Sequence, residues 1–222
     1  MGIEASIAVA GISGYTGQRL LPHLGPDAKL LLRPSTAGRA PWKDDPRTVS
    51  VDLLDEPALE RALTGVETVV CLVGTTRAQF RPAENGEHAV NYDTVDIGIP
   101  RALCNAGRRA GCKRFVHLGA YGTEGVPGAY YDAKREAEAI VKASGLSWVI
   151  LRPSFIVGPG RAASKAFDVL LAPMRIVSKA KNDDVRSIDV EILARAVLRC
   201  AQSPEWDGRI LDGRDLHRLG AG

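Results

Sequence analysis

The sequence predicts an α/β domain built on a doubly wound, mostly parallel sheet with a small C-terminal substrate lobe. Three observations point there. Short Val/Ile/Leu-rich runs alternate with longer amphipathic segments, the pattern of a parallel sheet covered by helices on both faces. The first run opens directly into glycines spaced three apart, as a strand does when it turns tightly into a helix. No linker or repeat divides the 222 residues, so residues 1–222 are expected to form a single domain.

In chain order the strands are read at Ser6–Ala10, Lys29–Leu32, Thr48–Val51, Thr68–Leu72, Arg114–Leu118 and Trp148–Leu151, with a late strand near Gly208–Leu211. Helices fall between them. Gly17–Leu24 is short, and Pro57–Leu63 follows Asp55, which can cap it, with Pro57 suited to the first turn. Val90–Ala110 carries Val95, Ile99, Ala102 and Leu103 on one face and stops at Gly111; Pro100 should kink it or reset its start. Tyr130–Ser144 ends at Gly145, and Asp189–Gln202 places Ile192, Leu193, Ala196, Val197 and Cys200 together. The stretch Gly158–Arg186 has weak periodicity and two interior turn signals, so residues 155–188 are expected to form a substrate lobe or lid.

Composition excludes several classes. The longest apolar runs fall far short of the ~20 residues of a membrane helix, and no basic, signal-like start is present. Met1-Gly2 with Ser6 satisfies a myristoylation pattern, but a strand starting at Ser6 leaves almost no tether for a lipid. Cys71, Cys104, Cys112 and Cys200 form no C-x-x-C pair, and His23, His88, His117 and His217 have no metal-ligand spacing. A net charge of +3 with interspersed signs offers no basic stripe for nucleic acid. The expectation is a cytoplasmic, metal-free protein without nucleic-acid or membrane partners, acting on a small molecule as a monomer or homodimer.

The glycines Gly11, Gly14 and Gly17 stand in the order strand, loop, helix that cradles a dinucleotide pyrophosphate. The first permits the turn, the second lets backbone approach the anion, and the third lets helix and sheet pack closely. Arg33 ends the second strand, where an acidic residue would hold the ribose hydroxyls of NAD; an arginine there favours the 2′-phosphate of NADP(H) over NAD(H). The alternative is a solvated arginine, since Arg39 and Lys43 make this loop basic anyway. Asp52 and Leu53, after the third strand, would meet the adenine edge; Asp52 could equally cap a helix. Tyr130 and Lys134, four apart on one helix face, suit proton donation to a carbonyl receiving hydride, the ammonium lowering the phenol's pKa and holding the nicotinamide ribose.

Together Gly11-x-x-Gly14-x-x-Gly17, Asp52-Leu53, "KRFVHLGAYG", Tyr130-x-x-x-Lys134 and "LRPSFIVGPG" resemble the atypical short-chain dehydrogenase/reductase superfamily, Rossmann proteins related to the extended epimerases, from Ser6 to about Gln202. "CLVGTTR" and "ILDGRDLHRLG" resemble its Tat-interacting-protein-like, NADPH-binding oxidoreductases. The resemblance implies Gly11, Ser13, Gly14, Tyr15, Thr16 and Gly17 at the pyrophosphate and Arg33 at the 2′-phosphate. It implies Val73, Gly74 and Thr75 along the ribose, Leu118 and Gly119 at the end of the fifth strand beside the cofactor, and Pro153, Ser154, Phe155 and Ile156 at the nicotinamide. Tyr130 and Lys134 would be the catalytic pair. Where the family carries a serine after the fifth strand, this chain has Gly119-Ala120-Tyr121, so either the substrate-polarising donor comes from Tyr121 or Thr123 or the carbonyl is polarised less by one hydrogen bond. Three functions follow in order of fit: an NADPH-dependent oxidoreductase acting on a small carbonyl compound, an NADP(H)-binding regulatory module, and an epimerase that retains its cofactor.

Overall fold

The computed structural model describes residues 6–84, 86–159 and 187–221. Seven strands form one sheet in the order β3-β2-β1-β4-β5-β6-β9, every neighbour parallel. They are β1 (Ile7–Ala10), β2 (Lys29–Leu32), β3 (Thr48–Ser50), β4 (Thr68–Cys71), β5 (Arg114–Leu118), β6 (Ser147–Leu151) and β9 (Arg209–Leu211). The order reverses between β1 and β4, and a doubly wound sheet opens its ligand crevice at that reversal.

The pleat sorts each strand's side chains onto two cores. Ile7 and Val9 join Leu20, Leu193, Val197 and Leu216 on one face, beneath α1 (Tyr15–Leu20), α6 (Val190–Gln202) and α7 (Gly213–Ala221). Ala8 and Ala10 join Leu59, Leu63, Leu103 and Val141 on the other, beneath α3 (Glu56–Leu63), α4 (Ile99–Arg109) and α5 (Ala129–Lys142). Each fully buried Leu or Val contributes about 1.5–3 kcal/mol, so the sheet is anchored from both sides.

Strand boundaries agree with the sequence reading to within a residue or two, and Asp55 caps α3 through Ala58 N. Four differences have local causes. The expected helix Gly17–Leu24 starts earlier, at Tyr15, and tightens into a 3₁₀ turn over Leu21–His23 at Pro22. The segment expected as one helix over Val90–Ala110 is two: a π-helical stretch, Tyr92–Gly98, precedes α4, which restarts with Pro100 in its first turn, where a missing N–H is harmless. A short α2 (Pro34–Ala37) follows Arg33, and α7 closes the chain end; neither stood out from periodicity. Two short strands, β7 (Ile156–Val157) and β8 (Ile188–Asp189), pair in parallel as a separate small sheet. The expected lobe at 155–188 otherwise lies mostly outside the described residues.

The glycine loop is held by sterics. Gly11 has φ +90°, and a Cβ there would lie 2.8 Å from Leu72 C. A Cβ on Gly17 would lie 2.4 Å from Gly11 O and 2.5 Å from Ile12 Cα, so α1 can pack on β1 only without one.

Candidate functional site

A cleft of about 300 Å³ opens at the C-terminal ends of β1, β2 and β4, at the strand-order reversal. It brings together Gly11, Ser13, Gly14, Arg33, Leu53, Val73, Gly74 and Thr75, residues drawn from four separate stretches of sequence. Thr16 and Gly17 are buried beneath the loop, and Tyr15 turns its hydroxyl toward Pro159 O at 3.4 Å. Asp52 lines an adjoining cavity of about 240 Å³ that shares Arg33 and Leu53 with the cleft. Its carboxylate accepts from Leu54 N and lies 3.0 Å from His88 Nε2, while Asp55 is the helix cap.

Over this cleft runs a strap that the sequence reading missed. Arg81 pairs with Val90 and Glu84 with Glu87 in antiparallel bridges, and Gly86 has φ +76°. The Asn-Gly dipeptide in the sequence at this point was the available signal. Glu87 Oε2 lies 3.3 Å from Arg33 Nη1 and 3.2 Å from Arg81 Nη2.

Lys134 comes up from α5 at the other end of the cleft. It is only 4% exposed, and its Nζ lies 2.9 Å from Asp96 Oδ1 and 5.7 Å from the centre of the Tyr130 ring. A Cβ on Gly74 would stand 3.0 Å from that Nζ, which puts the ammonium directly behind the cleft wall. Asp96, 1% exposed, also accepts from Thr75 N at 3.1 Å and so ties the π-helical stretch to the cleft. Burial disfavours the Lys134 charge, but the Tyr130 phenol and the Asp96 carboxylate outweigh it and hold the pKa above the ordinary lysine value. The sequence reading did not single out Asp96; an acid beside Val95 and one turn before Ile99, near a predicted apolar face, was the signal.

Tyr130 belongs to an aromatic row. Its ring centre lies 5.8 Å from Tyr92 and 5.1 Å from Tyr131, and Tyr92 lies 4.7 Å from Phe80, all edge-on. Phe80 is 40% exposed. Helix α5 is fixed against β6 by Arg152, whose Nε and Nη2 donate to the buried Glu138 at 2.9 and 2.5 Å. That pair crowds the position after β5: a Cβ on Gly119 would lie 2.9 Å from Glu138 Oε1, so a serine there needs the ion-paired carboxylate to shift. The Thr123 hydroxyl donates to Ala120 O at 2.6 Å within its own turn. Tyr121 N donates to Pro153 O, joining the loop after Leu118 and Gly119 to the Pro153–Ile156 stretch; neither loop is among the residues lining the glycine-loop cleft.

Other titratable groups nearby are held neutral. Burial pushes the thiols of Cys71 and Cys112 up to about 11 and those of Cys104 and Cys200 up to about 12, so no thiolate forms at neutral pH. His117 on β5 is fully enclosed beside Phe115 and opposite Cys71, with no partner for either ring nitrogen among the described residues. Burial, with Lys134 nearby, lowers its pKa to about 3. The folded state therefore refuses a proton that the unfolded chain takes up below about 6.5. Stability should be level above that pH and fall below it by up to ~1.4 kcal/mol per pH unit from this group. Urea titrations at stepped pH on wild type and His117→Leu will check this: the acid slope should shrink in the variant, and an unchanged slope would assign it elsewhere.

The fold and cleft together define a dinucleotide-binding Rossmann protein. The NAD(P)H-binding family pattern matches residues 11–204, and the chain belongs to that family. Among curated proteins it is 27% identical over 203 residues to the ceramide reductase of Caulobacter vibrioides, covering 89% of this chain and 61% of that protein's length. It is 29% identical over 224 residues to the mitochondrial protein fmp-52 of Neurospora crassa, covering 90% and 86%. Among solved structures it resembles the NADPH-dependent quinone oxidoreductase of Escherichia coli in complex with NADPH, with TM-score 0.66, 19% identity and coverage of 93% and 68%. It also resembles a triphenylmethane reductase of Citrobacter, with TM-score 0.64, 16% identity and coverage of 93% and 68%. The seven-strand parallel sheet flanked by helices is a Rossmann-like α/β fold, as in those solved structures. Among the described residues no helix is long and apolar enough to cross a membrane.

Proposed function

We propose that the chain is an NADPH-dependent oxidoreductase that reduces, or in reverse forms, a carbonyl group of a small apolar molecule. The observation that carries this reading is the position of Lys134 Nζ, against Gly74 in the cofactor cleft and 5.7 Å from the Tyr130 ring. The glycine loop and Val73–Thr75 would hold the pyrophosphate and ribose, and Arg33 the 2′-phosphate. The cofactor, when bound, supplies the hydride. Tyr130 donates its proton to the carbonyl oxygen, so that the carbonyl becomes an alcohol and the phenolate left behind is stabilised by the Lys134 ammonium. Half-buried Tyr130 can regain that proton from solvent. Phe80 and Tyr92 give the neighbouring wall an aromatic face suited to a flat or apolar acceptor. The reductases among the similar proteins support the same reading.

A second reading, an NADP(H)-binding module without turnover, draws on two observations: Gly119 stands in the serine's place, and Asp96 neutralises Lys134. Two measurements separate these readings and test the cofactor. Calorimetry should show NADPH binding more tightly than NADH, and Arg33→Ala should erase most of that difference, roughly tenfold or more. Binding of neither dinucleotide refutes the cofactor assignment. A panel of ketones, aldehydes, quinones and flavins, followed by NADPH oxidation, should then yield a turned-over acceptor; tight binding without turnover favours the module.

A further inference from the structure

We infer that Glu87 is a built-in stand-in for the cofactor's 2′-phosphate, and that Arg33, Ser35 and Arg81 form the seat the two anions compete for. The inference rests on the NADP(H) reading above. Glu87 Oε2 is shared between Arg33 Nη1 at 3.3 Å and Arg81 Nη2 at 3.2 Å. The Ser35 hydroxyl, with the guanidiniums of Arg33, Arg81 and Arg39, holds the Glu87 carboxyl below the usual carboxylate range. Two guanidiniums on one carboxylate oxygen leave a surplus of positive charge. A phosphate monoester brings nearly two charges and three acceptor oxygens to the same donors, so it answers that surplus where a carboxylate does not.

The location agrees with the chemistry. Arg33 follows the last residue of β2, where a dinucleotide fold reads the adenosine ribose. Arg33 and Arg81 both line the glycine-loop cleft, and Ser35 and Glu87 line the cavity joined to it through Arg33. The ion pairs that hold Glu87 are also open to water. The strap is tied by the Arg81–Val90 and Glu84–Glu87 bridges and the His88–Asp52 contact, and the two Glu87 ion pairs are partly exposed, where water weakens them. Arg81 is thus a second phosphate ligand, invisible in sequence because it lies 48 residues beyond Arg33. Glu87 is a specificity-determining residue that opposes the phosphorylated cofactor until displaced.

The test uses the full chain and two probes in calorimetry, adenosine 2′,5′-bisphosphate and 5′-AMP, which differ only in the 2′-phosphate. Wild type should prefer the bisphosphate. Glu87→Gln, isosteric and uncharged, should tighten the bisphosphate roughly tenfold, the size of one charge-assisted hydrogen bond, and change 5′-AMP less than about twofold. Arg81→Ala should weaken the bisphosphate by a similar factor and leave 5′-AMP unchanged. If wild type prefers the bisphosphate but Glu87→Gln alters neither probe, this inference is overturned and the cofactor reading stands. If Glu87→Gln instead weakens 5′-AMP, the carboxylate is a ribose ligand and the competition is refuted. Equal binding of both probes by wild type overturns the inference together with the NADP(H) preference.

Discussion

Tyr130→Phe should lower turnover of any accepted carbonyl substrate by about 10²–10⁴-fold, the usual worth of a positioned general acid, while leaving the NADPH dissociation constant within about twofold. The variant keeps the ring that packs edge-on against Tyr92 and Tyr131 and removes only the hydroxyl, so the loss isolates the proton. Steady-state kinetics with the best acceptor from the panel, alongside NADPH calorimetry, provides both numbers. Unchanged turnover would remove Tyr130 from the mechanism and leave Tyr121 as the remaining phenol proposed for the substrate side. A parallel loss of cofactor affinity would mean that Tyr130 shapes the cleft rather than the chemistry.

Asp96→Asn should destabilise the fold by about 3–5 kcal/mol, the range for a buried ion pair that loses one partner. Asparagine keeps an oxygen for Thr75 N–H, so the loss reports the ammonium of Lys134 left enclosed and uncompensated. The urea midpoint should drop at unchanged slope. Adding Lys134→Met should restore part of the stability, because a neutral pair no longer carries a buried charge. Since the folded pKa of Lys134 is raised, the pair's contribution is complete at neutral pH and is lost only in alkali, as pH rises past the ordinary lysine value. The experiment therefore belongs near pH 7. A midpoint within the error of wild type would show that water reaches Lys134 and that the pair is not closed.

Both predictions turn on residues of unequal legibility. Tyr130 and Lys134 could be found because a helix puts positions four apart on one face. Asp96 could not be paired with Lys134 from sequence: 38 residues and a strand separate them, and the π-helical stretch over Tyr92–Gly98 that carries Asp96 to Thr75 leaves no periodic mark. The glycine loop was legible because its spacing is a steric demand, visible in the Gly11 and Gly17 contacts with neighbouring backbone. Arg33 was placed correctly at the strand end, but its Glu87 partner was hidden, since the strap joins the cleft by long-range ion pairs that leave no periodic mark.

By itself the sequence pointed to a largely parallel sheet of six or seven strands, to the glycine loop at the end of its first strand and to the Tyr-Lys helix face. Those features follow from local rules: apolar runs of strand length, glycines where no Cβ fits, and the helical repeat. Tertiary structure alone decided that Asp96 closes on Lys134, that Glu138 crowds Gly119, and that Glu87 sits between Arg33 and Arg81. Those contacts join segments distant in sequence, and only the folded chain brings their charges within reach of one another.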